Sequence, residues 1–228
     1  MISVVSVTNK KDNNTKENIF KNFKRQLYPN KELILIVNSH ENVHFYKDLA
    51  DKMEIKNCNI YGLHPFITLG ECLNHSIMKM KGTYWAKMDD DDYYGENYLI
   101  EAHYNLINKG ADLVGKKSIR LYNNDTKTMY DLNQSKNKYV TFVRGPTFFC
   151  HKSLFSDNET LFRFDKLNHG EDTAFLKKLI KHHKNIYATS EENFVYIRNT
   201  NLNQSSITPL NKYLGSKYKI IKMNIYNE

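Results

Sequence analysis

The sequence is poor in the residues that define several protein classes. Its 228 residues include only 9 glycines and 4 prolines, which excludes a collagen-like chain and a low-complexity disordered one. The cysteines, Cys58, Cys72 and Cys150, are odd in number and form no CxxC pair. We therefore predict neither a disulfide framework nor a structural zinc site, and we expect reduced, mostly buried thiols.

Long apolar runs are absent from the sequence as well. The longest one spans residues 33–37, far short of the roughly 20 residues that cross a bilayer as a helix. The first residues lack a basic stretch followed by a long apolar region and a small-residue cleavage site, so we predict no signal peptide. With 40% hydrophobic and 25% charged residues, the composition is typical of a folded globular protein, which we expect in the cytoplasm.

The charge is unbalanced. Lysine and arginine number 33 against 25 aspartates and glutamates, a net charge of +8 that favours polyanionic or phosphorylated partners. The lysines are scattered among asparagines rather than gathered with aromatic residues, so we predict no nucleic-acid partner. An anionic membrane surface and a nucleotide-linked ligand both stay open as partners.

Strand and helix patterns alternate in the first half. A β-branched run at 2–7, an apolar run at 32–37 and two short segments at 57–61 and 84–88 predict strands, with amphipathic helices between them. This order predicts an α/β protein with parallel strands. The second half shows shorter runs that we interpret as antiparallel strands, and helices over 98–108 and 171–181. From Pro209 the tail has apolar residues at helical spacing, so we predict one domain of about 200 residues with a helical C-terminal extension.

The clearest chemical signal is a run of four aspartates, 89–92, directly after the fourth predicted strand. Adjacent carboxylates repel one another unless they are solvated or hold a cation. In an extended run Asp89 and Asp91 point to one side, where Mg²⁺ or Mn²⁺ would find hard oxygen ligands. The alternatives are a solvated acidic loop and a calcium loop, although the run lacks the spacing of an EF-hand.

A second acidic pair, Glu171 and Asp172, opens the predicted helix over 171–181. Carboxylates in the first turn of a helix are stabilised in the ionised form by the helix dipole. An ionised carboxylate can act as a general base. Acidic residues at helix starts are also ordinary caps, and only the aspartate run favours function over capping.

Taken together, these segments resemble a known family. The segments are SVVSVT (3–8), QLYPN (26–30), LGECLN (69–74), KGTYWAKMDDDDYY (81–94), GPTF (145–148) and GEDT (170–173). In this order they resemble a bacterial family-2 glycosyltransferase with DxD and ED motifs, over about residues 1–200. The resemblance implies a GT-A fold, a Rossmann-like mixed sheet flanked by helices. It further implies a domain over 1–205, made of a nucleotide-sugar-binding half (1–110) and an acceptor-side half (111–205), followed by the helical extension 206–228.

The resemblance also implies roles for individual residues. Asp172 matches the catalytic base, and Glu171 would orient the substrate or the base. Asp91, with Asp89, would bind Mn²⁺ or Mg²⁺ on the donor diphosphate. The nucleotide sugar would be bound by Thr8, Asn38, Asp89, Asp90 and Arg198. Asn38 departs from the family pattern, which has an aspartate pair after the second strand, but an amide can still pair with a base edge.

The function that the resemblance implies is inverting, metal-dependent transfer of a sugar from a nucleoside-diphosphate sugar, UDP-linked, to a hydroxyl of a glycan or glycoconjugate. The setting would be cell-surface polysaccharide synthesis, in the cytoplasm and peripheral to the inner face of the membrane. One alternative is a non-catalytic nucleotide-sugar or glycan-binding module. Another is a nucleotidyltransferase, but the segment 9–14 lacks the glycine-rich loop that such enzymes carry after their first strand.

Overall fold

The computed structural model describes residues 1–9, 13–156, 162–198 and 218–221. The helices are α1 (Asn13–Arg25), α2 (Val43–Lys52), α3 (Leu69–Lys79), α4 (Tyr98–Lys109), α5 (Ser153–Ser156) and α6 (Glu171–Lys181). The strands are β1 (Ile2–Thr8), β2 (Lys31–Val37), β3 (Cys58–Gly62), β4 (Tyr84–Lys87), β5 (Tyr93–Tyr94), β6 (Leu113–Gly115), β7 (Arg120–Asn123), β8 (Thr128–Asp131), β9 (Lys138–Tyr139), β10 (Phe149–His151), β11 (Ile186–Ala188), β12 (Phe194–Arg198) and β13 (Lys219–Ile221).

The main sheet has eight strands in the order β3-β2-β1-β4-β10-β6-β11-β9. Strands β1 to β4 are parallel to one another, as predicted, and β10 lies antiparallel between β4 and β6. Strand β1 is central in this parallel part, and its side chains alternate between two apolar cores. Val4 packs into the core that contains Phe20 of α1, and Val5 packs into the core that contains Phe175 of α6. Burial on both faces explains why these strands are continuously apolar in sequence.

A second sheet has the order β13-β8-β7-β12-β5. The predicted antiparallel pairing is confirmed for β7 with β8. Strand β12 also pairs antiparallel with β5, which was not predicted as a strand, and two other pairs in this half of the chain are parallel. Strand β12 runs parallel to β7, and β11 runs parallel to β6. Each of these pairs joins strands that are separated by a long connection, which includes α6, and such a crossover permits parallel pairing.

The predicted C-terminal helix is wrong at residues 219–221. Strand β13 pairs antiparallel with β8, and the Tyr218 ring lies 5.5 Å from the Tyr130 ring. The β-branched pair Ile220 and Ile221 suits a strand better than a helix, and the open edge of β8 supplies the partner. The other residues of the 206–228 extension lie outside the described residues. Within the described residues, the helices are too short or too polar to span a bilayer.

Candidate functional site

The aspartate run begins where β4 ends. The chain turns at Asp90 and Asp91 instead of staying extended. Even so, Asp89 and Asp91 both face one cleft, whereas Asp90 and Asp92 are buried, with Asp92 at 0% exposure. The turn thus separates the four carboxylates into two at the surface of the cleft and two in the interior.

Helix α1 holds this turn in place. Its Asn18 side chain donates hydrogen bonds to the carbonyls of Asp90 (3.0 Å) and Asp92 (2.9 Å), and Asn22 donates to the Asp92 carbonyl at 2.8 Å. From the other side, the buried Tyr94 hydroxyl accepts a hydrogen bond from the Asp89 amide at 2.8 Å and donates one to the Pro146 carbonyl at 2.7 Å. The backbone of the aspartate run is therefore held by Asn18 and Asn22 on one side and by Tyr94 on the other, and this fixes the position of Asp89.

Asp92 anchors an arginine of the cleft. Its Oδ1 accepts hydrogen bonds from the Ile197 amide and from the Arg198 guanidinium, both at 3.1 Å. Burial raises the pKa of Asp92 well above its usual value, and the charge of Arg198 opposes that shift. The guanidinium also lies over the Tyr196 ring, 3.2 Å from its centroid. Asp92 and Tyr196 together fix Arg198, which lines the cleft.

The opposite wall is the start of α6. Gly170 has φ 82°, a left-handed conformation that glycine adopts at low cost, and the helix begins at Glu171. Glu171 is buried, and this burial, with the negative charge of Asp172 beside it, raises the pKa of Glu171 to about 7. Asp172 fits against Gly145, where an added Cβ would lie 1.6 Å from Asp172 Oδ2. A glycine at 145 is thus required for Asp172 to reach this position.

A buried lysine joins the two walls. Lys87, the last residue of β4, is 3% exposed, and its Nζ lies 2.8 Å from Asp172 Oδ2, 3.4 Å from Asp89 Oδ1 and 4.0 Å from Glu171 Oε1. Burial acts to lower the pKa of Lys87, but the carboxylates, Asp172 foremost, outweigh burial and raise it. The lysine is therefore a permanent cation among three acidic side chains.

The cleft between these walls has a volume of about 450 Å³. Besides the charged groups above, it is lined by residues of the 142–146 segment and of the segment before α6, which include Phe142, Arg144, Asn168 and His169. The site therefore combines acidic side chains, two arginines and the aromatic rings of Phe142 and Tyr196. Such a mixture suits a polar ligand that carries negative charge and hydroxyl groups.

Comparison with solved structures identifies the fold. S. aureus TarS 1-349 in complex with UDP-GlcNAc is similar to this chain, with a TM-score of 0.68 and 17% identity over 90% of this chain and 60% of that one. The mannosyltransferase PcManGT from Pyrobaculum calidifontis, in complex with GDP-Man and Mn²⁺, also has a TM-score of 0.68, with 15% identity over 88% of this chain and 57% of that one. The chain has the GT-A fold.

This chain spans 60% of the length of TarS 1-349 and 36% of the longer S. aureus TarS structure. No protein-family model matches the sequence, and no curated protein is significantly similar to it. At these identities the likeness establishes the GT-A fold alone.

In this GT-A fold the predicted site residues divide into two groups. Asp89, Asp91, Glu171, Asp172 and Arg198 line the cleft together. Thr8, Asn38 and Asp90 do not line it. Thr8 and Asn38 lie side by side at the carboxyl ends of β1 and β2, where the backbone N–H of Asn38 donates a hydrogen bond to the backbone carbonyl of Thr8 at 2.8 Å. The Thr8 hydroxyl lies 3.2 Å from the Tyr46 hydroxyl, and the Asn38 side chain donates to the Ile67 carbonyl.

The donor set of the cleft fits a divalent cation. Asp89 and Asp91 offer hard carboxylate oxygens on the same cleft, as Mg²⁺ and Mn²⁺ prefer. Among the residues that the structure describes, no three acidic, histidine or cysteine side chains gather into a closed metal cage. A cation held here would therefore take most of its ligands from water and from a bound phosphate.

Sequence reasoning missed Lys87 altogether. A lysine within an apolar strand, two residues before an acidic run, was a signal that could have found it. His169 lines the cleft, whereas His182 and His183 are exposed at the end of α6. Asn199, Ser205 and Ser206, which follow Arg198, lie outside the described residues.

Proposed function

We propose that the chain is an inverting, metal-dependent glycosyltransferase of family 2. It would move a hexosyl or N-acetylhexosaminyl group from a nucleoside-diphosphate sugar to a hydroxyl of a glycan or glycoconjugate in cell-surface polysaccharide synthesis. The observation that carries this proposal is the pairing of Asp89 and Asp91 at a strand end with Glu171 and Asp172 at a helix start, across one cleft of a GT-A fold.

The chemistry follows from this pairing. The acceptor hydroxyl oxygen attacks the anomeric carbon while its proton passes to Asp172, the general base. The bond from that carbon to the diphosphate oxygen breaks, and the electron pair leaves with the diphosphate. A single displacement inverts the configuration at the anomeric carbon. The pKa of Glu171, raised to about 7, keeps part of this residue protonated near neutral pH, so its carboxyl can donate a hydrogen bond to substrate.

The donor would lie with its diphosphate near Asp91, Asp89 and Arg198. A divalent cation bound by the two aspartates would offset the charge that develops on the departing diphosphate. Arg198, held by Asp92, would contribute a fixed positive charge to the same group. The nucleotide would extend past Asp90 toward Thr8 and Asn38, because the carboxyl ends of β1, β2 and β4 lie at one edge of the sheet.

Uridine diphosphate is the proposed carrier of the sugar. Two of the similar solved structures contain UDP or UDP-GlcNAc, and one contains GDP-Man with Mn²⁺. The similarity to TarS makes the UDP-linked donors the first to test. We also propose a cytoplasmic location, at the anionic inner face of the membrane, on the strength of the +8 net charge.

The test is a panel of UDP- and GDP-linked sugars incubated with Mn²⁺, with and without glycan extracts as acceptors. Release of nucleoside diphosphate is measured for the native protein, Asp91→Ala, Asp172→Asn and the surface control Asp51→Asn. We expect Asp172→Asn to lower turnover by about 10²- to 10⁴-fold, the usual contribution of a general base. Asp91→Ala should lower the release of nucleoside diphosphate and raise the Mn²⁺ concentration that the release requires. Asp51→Asn should release nucleoside diphosphate at the native rate.

Two outcomes would contradict the proposal. Nucleotide binding without release of diphosphate, with every acceptor extract, would favour a binding module instead of an enzyme. If Asp172→Asn releases nucleoside diphosphate at the native rate, Asp172 is not the general base and the activity does not depend on this cleft.

A further inference from the structure

Lys87 is the buried charge on which the geometry of the cleft depends. One ammonium contacts Asp172, on the acceptor side, and Asp89, on the donor side, although these residues are 83 positions apart in sequence (172 − 89). A buried lysine without partners would be costly, so the three carboxylates and Lys87 stabilise one another.

The contact with Lys87 distinguishes the two oxygens of Asp172. Oδ2 accepts the Lys87 hydrogen bond at 2.8 Å and faces Gly145. Oδ1 is buried and has no hydrogen-bond partner among the described residues. The side chain as a whole is 20% exposed and lines the cleft. Because Oδ1 has no partner among the described residues, the Lys87 hydrogen bond to Oδ2 and the fit against Gly145 are what hold the carboxylate in place.

We propose that Lys87 is a positioning residue, which fixes the Asp172 carboxylate through Oδ2 so that this carboxylate stays in place at the cleft to receive the proton of the acceptor hydroxyl. This inference rests on the proposed function. Because Lys87 also contacts Asp89, it sets the separation between the base and the donor-side carboxylates. The role concerns the rate of the chemical step and not the binding of the donor.

The experiment compares Lys87→Met with Lys116→Met. Lys116 is a matched control because it is equally buried, at 1% exposure, and paired with Glu101 at 3.0 Å, but it does not line the cleft. For each variant, turnover is measured as release of nucleoside diphosphate from the donor that the panel identifies. The dissociation constant of that donor with Mn²⁺ is measured by calorimetry, and the melting temperature is recorded.

We expect Lys87→Met to lower turnover by about 100-fold, the scale of an active-site group displaced by about an ångström. The donor dissociation constant should stay equal or fall, since Asp89 loses a competing cation. Lys116→Met should lower the melting temperature and leave turnover within about threefold of native. Lys87→Gln keeps an N–H donor for Asp172 and should recover about tenfold of the lost turnover.

The proposal is overturned if Lys87→Met keeps native turnover, or if its donor dissociation constant rises in step with the loss of turnover. Should Lys87→Met fail to fold, Lys87→Gln and Lys87→Arg replace it, with the same requirement that turnover falls and donor affinity holds.

A double-mutant cycle of Lys87→Gln with Asp172→Asn tests the contact without any activity. Losses of melting temperature that add to within about 1 °C would show that the two side chains do not interact, and would overturn the proposal even for an active protein. If the losses of melting temperature are not additive but the protein releases no nucleoside diphosphate from any donor, the Lys87–Asp172 contact is real and the proposed function is wrong.

Discussion

Gly145 and Asp172 lie so close together that a methyl group at position 145 would overlap the Asp172 carboxylate. The added Cβ would lie 1.6 Å from Oδ2, 2.2 Å from Cγ and 2.8 Å from Cβ of Asp172, so the whole side chain would have to move. The glycine is therefore part of the site although it brings no functional group.

Gly145→Ala should accordingly reduce activity more than stability. Displacing Asp172 from Lys87 should lower turnover by about 100-fold, because catalysis depends on ångström-scale placement of the base. The check is turnover of Gly145→Ala, Asp172→Asn and the double variant. If the alanine acts through Asp172, the double variant is no slower than Asp172→Asn alone. A double variant slower by the product of the two effects would contradict this explanation.

The stability of the native protein should fall as the pH rises from about 4.5 to about 7 through the effect of Glu171 alone. Its pKa is raised on folding, so the folded state binds the proton more tightly than the unfolded state. The stabilisation is complete below the unfolded pKa and is lost as the pH passes the folded value. The measurement is the melting temperature at pH 5 and pH 8 for the native protein and Glu171→Gln. The decrease between the two should be several degrees smaller in the variant, and equal decreases would contradict the prediction.

Arg198→Met should destabilise the protein by about 3 to 5 kcal/mol, because it leaves the fully buried Asp92 carboxylate without its cation. Asp92→Asn removes the charge, so the double variant should be more stable than the sum of the single effects predicts. Chemical denaturation of the three variants measures this coupling. If the losses in the free energy of unfolding are additive, the Arg198–Asp92 ion pair contributes nothing to stability.

Binding to anionic membranes should depend on salt. With a net charge of +8, the protein should sediment with phosphatidylglycerol vesicles at low ionic strength and be released at high salt, where charges are screened beyond a few ångströms. Neutral phosphatidylcholine vesicles are the control. Protein that stays in the supernatant with anionic vesicles at low salt would contradict the proposed membrane location.

Patterns within short segments predicted much of the fold. Continuous apolar runs gave the parallel strands β1, β2 and β4, and helical spacing gave α3, α4 and α6. Pairings between strands distant in sequence could not be predicted. The residues of 186–188 and 194–198 indicate strands, but nothing in them indicates which strand each one pairs with. The strand at 219–221 was missed for the same reason, since its conformation depends on the edge of β8.

The acidic residues of the site could be predicted from the sequence. Adjacent carboxylates repel one another, so a run of them indicates a solvated loop or a bound cation. Asp89, Asp91, Glu171 and Asp172 do line one cleft. Lys87 was hidden, because its significance comes from contacts with residues far along the chain. Thr8 and Asn38 were chosen through the family resemblance, and they lie beyond the cleft, at the neighbouring strand ends.

The short strand β13 has a consequence for handling the protein. It covers the outer edge of β8, whose backbone would otherwise offer free hydrogen-bonding groups to any extended chain. A version shortened before residue 219 would expose that edge at Met129, Tyr130 and Asp131. Such a version invites strand addition between molecules and so aggregation, which makes residues 219–221 a poor segment to remove for crystallisation.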